Sequence, residues 1–181
     1  MAPIQHRGLA AVSLLLLLLM TALAASAEQF RRPWGEPVWE PPHPRGQSIA
    51  ITLKTDPTQD HEAACVALQI GMNLLMTAVT VDRAQVDVEP ARDVTLFPTL
   101  AGVELVNPAN DFGTEEYQCA TQDGPTPLRD ILANYVWMGG RVVVCGLCAI
   151  DRGITEPTYG AIGTAQQVHE MFLYADKVIT Y

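Results

Sequence analysis

Arg141-Val-Val-Val-Cys145-Gly-Leu-Cys148-Ala-Ile-Asp-Arg152-Gly153 is the stretch that decides the fold. Its first five residues are nearly all β-branched or apolar, which suits a strand buried on both faces. Residues 147–152 have the length of a short helix. Gly153 supplies the left-handed residue on which helices commonly end. A strand that passes directly into a helix is the repeating unit of an α/β sheet, because parallel neighbours can be joined only by a crossover.

Working outward, the same alternation recurs. Before this strand, Pro127 opens a helix with Leu128, Ile131, Leu132, Tyr135 and Val136 on one face, and Gly139-Gly140 closes it. Residues 93–97 form a second apolar strand. Residues 48–54 are a short apolar run bounded by turn formers, again suiting a buried strand. Thr55-Asp56-Pro57-Thr58 then breaks the chain and offers capping oxygens for a helix starting near Gln59 or Asp60, Asp56 either capping it or lining the cleft at the strand ends. In that helix Ala64, Cys65, Leu68, Met72, Leu75 and Met76 recur at helical spacing, so Cys65 belongs to the core face. After Gly153 come a weak strand at 158–162, a helix at 164–174 and a last strand at 177–181. The pattern predicts a flavodoxin-like, three-layer α/β fold whose mainly parallel sheet has about five strands. Between the second strand and the Pro127 helix, residues 107–127 are rich in Asn, Asp, Glu, Gly and Thr. They read as a long, acidic loop with scope to move.

The ends and the composition bound the function. His6 and Arg7, an apolar stretch containing Leu14 to Leu19, and a closing Ala25-Ser26-Ala27 make the three parts of a secretory signal peptide. The expectation is therefore a leader over 1–27 and a periplasmic protein, with an uncleaved membrane anchor as the rival. Residues 28–46 form a Pro/Trp-rich linker, in which Trp34 and Trp39 either pack back onto the domain or dock a partner. The domain itself spans 47–181. Twenty acidic residues against eleven Lys and Arg give a net charge of −9. Such a surface repels phosphate backbones, so no nucleic-acid partner is expected, and no membrane contact once the leader is cleaved. There is no glycine-rich phosphate loop and no Gly-x-Ser-x-Gly elbow, so nucleotide use and serine hydrolysis lack support, and no cofactor is implied.

Chemistry falls to sulfur. In open α/β sheets, sites form beyond the carboxyl ends of the strands, and Cys145 lies at one of these ends. Backbone N–H groups at the start of the following helix are expected to face its sulfur and favour the thiolate. Cys148, three residues on, is close enough to resolve an adduct or close a disulfide; the alternative for Cys145 is an inert thiol buried at the strand end. His61 is expected on the same rim, as base or anion partner to the thiolate, or else as a solvated first-turn residue. Arg152 is expected to pack or form an ion pair rather than bind substrate. Cys145 and Cys148 would supply half a zinc site, with His61, His169 or Cys119 to complete it. Structural zinc normally shows two such pairs, so no metal is expected. How Cys65, Cys119, Cys145 and Cys148 pair is open on spacing alone.

The segment 142–154 resembles the cysteine segment of the DsrE/TusD sulfur-relay proteins, in which an apolar strand ends in Cys and Arg-Gly follows at this distance. Val94-Thr-Leu-Phe97 with Gly102-Val103, Leu128-Arg129-Asp130-Ile131-Leu132, Gly160-Ala161 and Ala175-Asp176-Lys177-Val178-Ile179 resemble other blocks of the DsrE/DsrF-like family, in its order. The resemblance covers most of 49–181. It implies a flavodoxin-like domain, homo-oligomers (trimers or hexamers), a sulfur donor or acceptor protein as partner, and a persulfide on Cys145. The chain differs from the relay proteins in being exported, in carrying Cys148, and in the acidic insertion with Cys119. Export has a chemical consequence: oxidants would close Cys145–Cys148 or pair either with Cys119. Loading sulfur then needs a reductant, a protected pocket, or a disulfide that sulfide itself opens. Three functions follow as expectations: a sulfurtransferase or sulfur carrier using Cys145, a thiol–disulfide oxidoreductase using Cys145 and Cys148, or a non-catalytic oligomeric binding module.

Overall fold

The structure, a computed structural model, describes residues 46–181. The expected leader and the Trp34/Trp39 linker lie outside those residues. In chain order the elements are β1 (Ser48–Leu53), α1 (His61–Leu75), β2 (Ala78–Val81), β3 (Ala84–Asp87), β4 (Asp93–Pro98), a 3-10 helix (Leu100–Val106), β5 (Gln118–Cys119), β6 (Thr126–Pro127), α2 (Leu128–Trp137), β7 (Arg141–Cys145), α3 (Gly146–Asp151), β8 (Ala161–Gly163), α4 (Ala165–Tyr174) and β9 (Lys177–Thr180).

Five strands form one all-parallel sheet in the order β8-β7-β4-β1-β9. From β1 the chain steps across β4 and β7 to β8, and α4 then carries it back to the far edge at β9. Every residue of β1 is buried, as a central strand covered on both faces requires. Side chains alternate between the two faces. Ile49, Ile51, Leu53, Val94, Leu96, Val142 and Val144 enter the larger core with Leu68, Leu128, Ile131 and Leu132 from α1 and α2. Ala50, Phe97, Val143 and Cys145 face the smaller layer built by Val168, Met171 and Tyr174 of α4. This is the flavodoxin-like α/β arrangement, with helices on both sides of a parallel sheet.

Helix ends follow local chemistry. Asp60 caps α1, its side chain accepting from the Glu62 N–H. Asp56, a candidate for that task, instead closes the preceding turn by accepting from the N–H and hydroxyl of Thr58 at 2.9 and 2.8 Å. Thr164 and Gln167 form a reciprocal capping box on α4. Gly139, at φ +97°, ends α2 in the left-handed region.

Tyr135 joins α2 to the sheet. Strands β4 and β7 are paired only over Thr95–Arg141 and Leu96–Val142. Beside that short ladder the Tyr135 hydroxyl donates to the carbonyls of Val94 at 2.8 Å and Arg141 at 3.2 Å. Burial pushes this phenol far above its ordinary range, against the smaller opposing effects of the Leu96 backbone and of Arg141. Gly71 and Gly140 leave room for the ring: a Cβ on either would lie 2.7 Å or less from it.

Two regions depart from expectation. Between α1 and β4 the chain makes an antiparallel hairpin, β2 with β3. Its turn residues Asp82 and Arg83 both have positive φ, the geometry of a tight hairpin turn, without the glycine that usually announces one. The segment 107–127 is also not the loosely held loop its composition suggested. It contains the β5–β6 ladder, it buries Phe112, and Arg129 and Leu128 of α2 donate backbone hydrogen bonds to Phe112 and Tyr117. A disulfide between Cys65 of α1 and Cys119 fastens it to the core.

Candidate functional site

Strand β7 delivers Cys145 to the carboxyl rim of the sheet, and α3 begins at the next residue. The helical turn then brings Cys148 round to the same place. The two sulfurs are 2.7 Å apart, both half-buried and both thiols. Strand order supplies the rest of the site. Because β4 lies beside β7, the turn leaving β4 at Thr99–Leu100 is the neighbour of the cysteine pair, although it lies some fifty residues earlier in sequence.

That turn is held tightly. Thr99 donates its N–H to the Leu53 carbonyl at 2.9 Å, and Gly102 donates to Lys54 at 3.1 Å. A Cβ at Gly102 would sit 2.2 Å from the Leu53 carbonyl oxygen, so only glycine permits this approach. Leu100 is forced to φ +51°, a left-handed conformation costing roughly 1–3 kcal/mol for a side chain of this kind. The consequence is that the Leu100 N–H points at the Cys148 sulfur, at 3.1 Å. The Thr99 hydroxyl lies 3.5 Å from the same atom.

Arg152 completes the surroundings. Its guanidinium donates to the Cys148 carbonyl at 3.3 Å and pairs with Glu104 at 3.4 Å and Asp151 at 3.5 Å. Glu104 is itself gripped by the side-chain amides of Asn107 and Asn110, at 2.8 and 2.9 Å. The expected ion pair of Arg152 is therefore present, and it holds a positive charge near the pair. Burial alone would raise the Cys148 thiol. The hydrogen bonds of Cys145, Thr99 and Leu100, with the Arg152 charge, outweigh that and hold it below its ordinary value.

One expectation is corrected here. The backbone donors were assigned to Cys145 and to the start of α3. Cys145 is the N-cap of α3, but its side chain makes no capping hydrogen bond. The backbone donor comes from another loop and meets Cys148. A six-residue helix also has a weak dipole, since that field depends on aligned peptide units. Thr99, Leu100 and Glu104 were not legible as site residues. The available signal was Gly102, two positions after a leucine just beyond an apolar strand end.

His61 is the first residue of α1, and its ring engages a different neighbour. Its Nε2 is 3.2 Å from the Gln118 carbonyl, and its ring meets Tyr117 edge-on at 5.8 Å. The structure thus brings Cys145 and Cys148 together and turns His61 toward the insertion. Cys119 is taken by Cys65, with Cα atoms 5.4 Å apart, so it pairs with neither Cys145 nor Cys148. Among the described residues no group of three or more His, Cys, Asp or Glu is placed to hold a metal ion. No described helix is long and apolar enough to cross a membrane.

The pair sits apart from the roomier cavities. One of about 620 Å³ is lined by Ile49, Leu74, Pro90 and Asp176, and another of about 680 Å³ by Met72, Val79, Ile131 and Asn134. Leu100, whose N–H meets Cys148, is 57% exposed, and Leu147 and Ile150 of α3 are 82% and 73% exposed, so this end of the sheet carries exposed apolar side chains.

A crystal structure of the YchN protein from E. coli has a similar fold, with a TM-score of 0.54 at 21% identity, covering 75% of this chain and 99% of that one. No curated protein is significantly similar in sequence to the chain. The model of the DsrE/DsrF-like family matches residues 47–181, the whole span from just before β1 to the last residue after β9. With the parallel sheet, and with the rim cysteine where the resembling blocks place it, the chain belongs to the DsrE/DsrF-like family.

Proposed function

We propose that the protein is an exported sulfur carrier, which accepts sulfane sulfur as a persulfide on Cys145 and passes it to a partner. The observation that carries this reading is the thiol pair itself: two sulfurs 2.7 Å apart at a strand end, with a backbone N–H aimed at one of them. Family membership supports it, since sulfur relay is the general role of the characterised members. The basic start, apolar stretch and Ala25-Ser26-Ala27 support export to the periplasm. In loading, the Cys145 thiolate attacks the terminal sulfur of a polysulfide or similar donor. A sulfur–sulfur bond forms to Cys145, the donor's bond breaks, and its shortened anion leaves. The exposed Leu100, Leu147 and Ile150 suit either subunit contact in a trimer or hexamer or the approach of a donor or acceptor protein.

Mass spectrometry of the non-reduced protein after exposure to polysulfide or thiosulfate tests the reading. One added sulfur, absent from Cys145→Ser, is the expected result. An unchanged mass with every sulfane donor overturns it. The same 2.7 Å separation favours a second reading, a thiol–disulfide oxidoreductase, because two sulfurs so placed need little motion to bond. Titration of the pair in redox buffers, together with failure to gain sulfur, would identify that activity instead.

A further inference from the structure

The surroundings of the two sulfurs are unlike, and the difference has a chemical direction. Cys148 faces the Leu100 N–H at 3.1 Å and the Thr99 hydroxyl at 3.5 Å. Cys145 makes no capping hydrogen bond to its own helix. The site is thus prepared to hold negative charge on Cys148. In thiol–disulfide exchange the sulfur that departs most readily is the one better stabilised as a thiolate. If the pair is oxidised, Cys148 is the built-in leaving group and Cys145 the sulfur that is attacked.

We propose that hydrosulfide is the nucleophile that loads this protein: HS⁻ opens the Cys145–Cys148 disulfide at Cys145 and expels Cys148 into the hole formed by Leu100 and Thr99. The inference rests on the sulfur-carrier reading and names its substrate. The disulfide forms first, by exchange with a protein disulfide of the oxidising compartment, which takes two electrons and leaves as a dithiol. Hydrosulfide then forms a bond to Sγ of Cys145. The Sγ–Sγ bond breaks, its electron pair goes to Sγ of Cys148, and the proton stays on the outer sulfur. The products are a persulfide on Cys145 and a thiolate on Cys148. An acceptor nucleophile removes the outer sulfur, which leaves Cys145 as thiolate and makes the pair ready for reoxidation. Oxidation by the compartment thereby becomes the source of the oxidising equivalents. The positive φ of Leu100 has a purpose in this scheme, because that conformation aims its N–H at the departing sulfur.

The test uses the full chain, with Cys65–Cys119 intact and the second pair oxidised, treated with sodium sulfide and quenched early with an alkylating agent. Fragmentation between Gly146 and Leu147 assigns each sulfur. The expected product carries the added sulfur on Cys145 and a plain alkyl group on Cys148. Added sulfur from sulfide on Cys148, or none at all, overturns this inference alone so long as polysulfide still loads Cys145. If neither reagent adds sulfur, both fall. The hole is tested by Thr99→Val, which keeps the volume and loses the hydroxyl. Opening by sulfide should slow about three- to tenfold, the loss expected for a hydrogen bond to a charged sulfur at long range. In the reduced protein, Thr99→Val should also shift the ultraviolet thiolate titration of Cys148 upward, and Thr99→Ser should restore both readouts. Wild-type rate and titration in Thr99→Val would overturn the role of the hole.

Discussion

Replacing Cys65 and Cys119 together by alanine tests how the acidic insertion is held. The comparison is cleanest in a Cys145→Ser/Cys148→Ser background, where a single disulfide differs between the two chains. The bond spans a sequence separation of 54, and the chain-entropy relation for a loop of that size gives about 4 kcal/mol at 25 °C. Small domains have a total stability of about 5–15 kcal/mol, so the loss is a large part of the margin. Other contacts also hold the insertion, since Phe112 is buried and His61, Leu128 and Arg129 bond to residues 112–118. The effect falls chiefly on the denatured chain, which gains conformations once the link is gone. Guanidinium unfolding followed by far-ultraviolet circular dichroism measures it. The midpoint should fall, and the denaturant slope m should rise, because a less constrained unfolded chain exposes more surface. A loss below about 1 kcal/mol with m unchanged would refute the entropic reasoning. Detection of Cys65 as a thiol in the native protein would refute the pairing itself.

Tyr135→Phe removes the hydroxyl that serves the Val94 and Arg141 carbonyls and should cost about 1–3 kcal/mol, because a buried acceptor loses its donor. An unchanged denaturation midpoint would show that the sheet satisfies those carbonyls without it. Cys148 should make stability depend on pH. Its folded value lies below the ordinary one, so the native state binds fewer protons than the unfolded chain between the two values. The contribution is present in full above the unfolded thiol value of about 8.5 and is lost as pH falls through the lower folded value. Wild type minus Cys148→Ser, measured by urea unfolding across that range, should therefore grow with rising pH; a flat or falling difference contradicts the assigned hydrogen bonds.

Much of the architecture was legible locally. The β-branched run ending in Cys145, the helical face of Leu128, Ile131, Leu132 and Tyr135, and the Gly139-Gly140 stop each encode their own conformation within a few residues. Burial periodicity and backbone preference are short-range properties, so they can be read without knowing what packs where. The Cys145/Cys148 pair was legible for the same reason, since one helical turn brings both sulfurs to one rim. The β2–β3 hairpin escaped because Asp82-Arg83 adopts a turn that glycine or asparagine normally announces. The insertion was misread because its composition resembles a loose loop, whereas its anchor is a cysteine on a distant helix.

Amino-acid order alone determined the parallel α/β plan, the place of Cys145 at a strand end, and the company of Cys148. Tertiary structure decided which thiol is stabilised, what Cys119 bonds to, and where His61 turns. The physical reason is strand order. Only when β4 lies beside β7 does the Thr99–Leu100 turn reach Cys148, and Gly102 lets that turn press against the end of β1. A hydrogen bond between segments some fifty residues apart leaves no periodic trace in either of them.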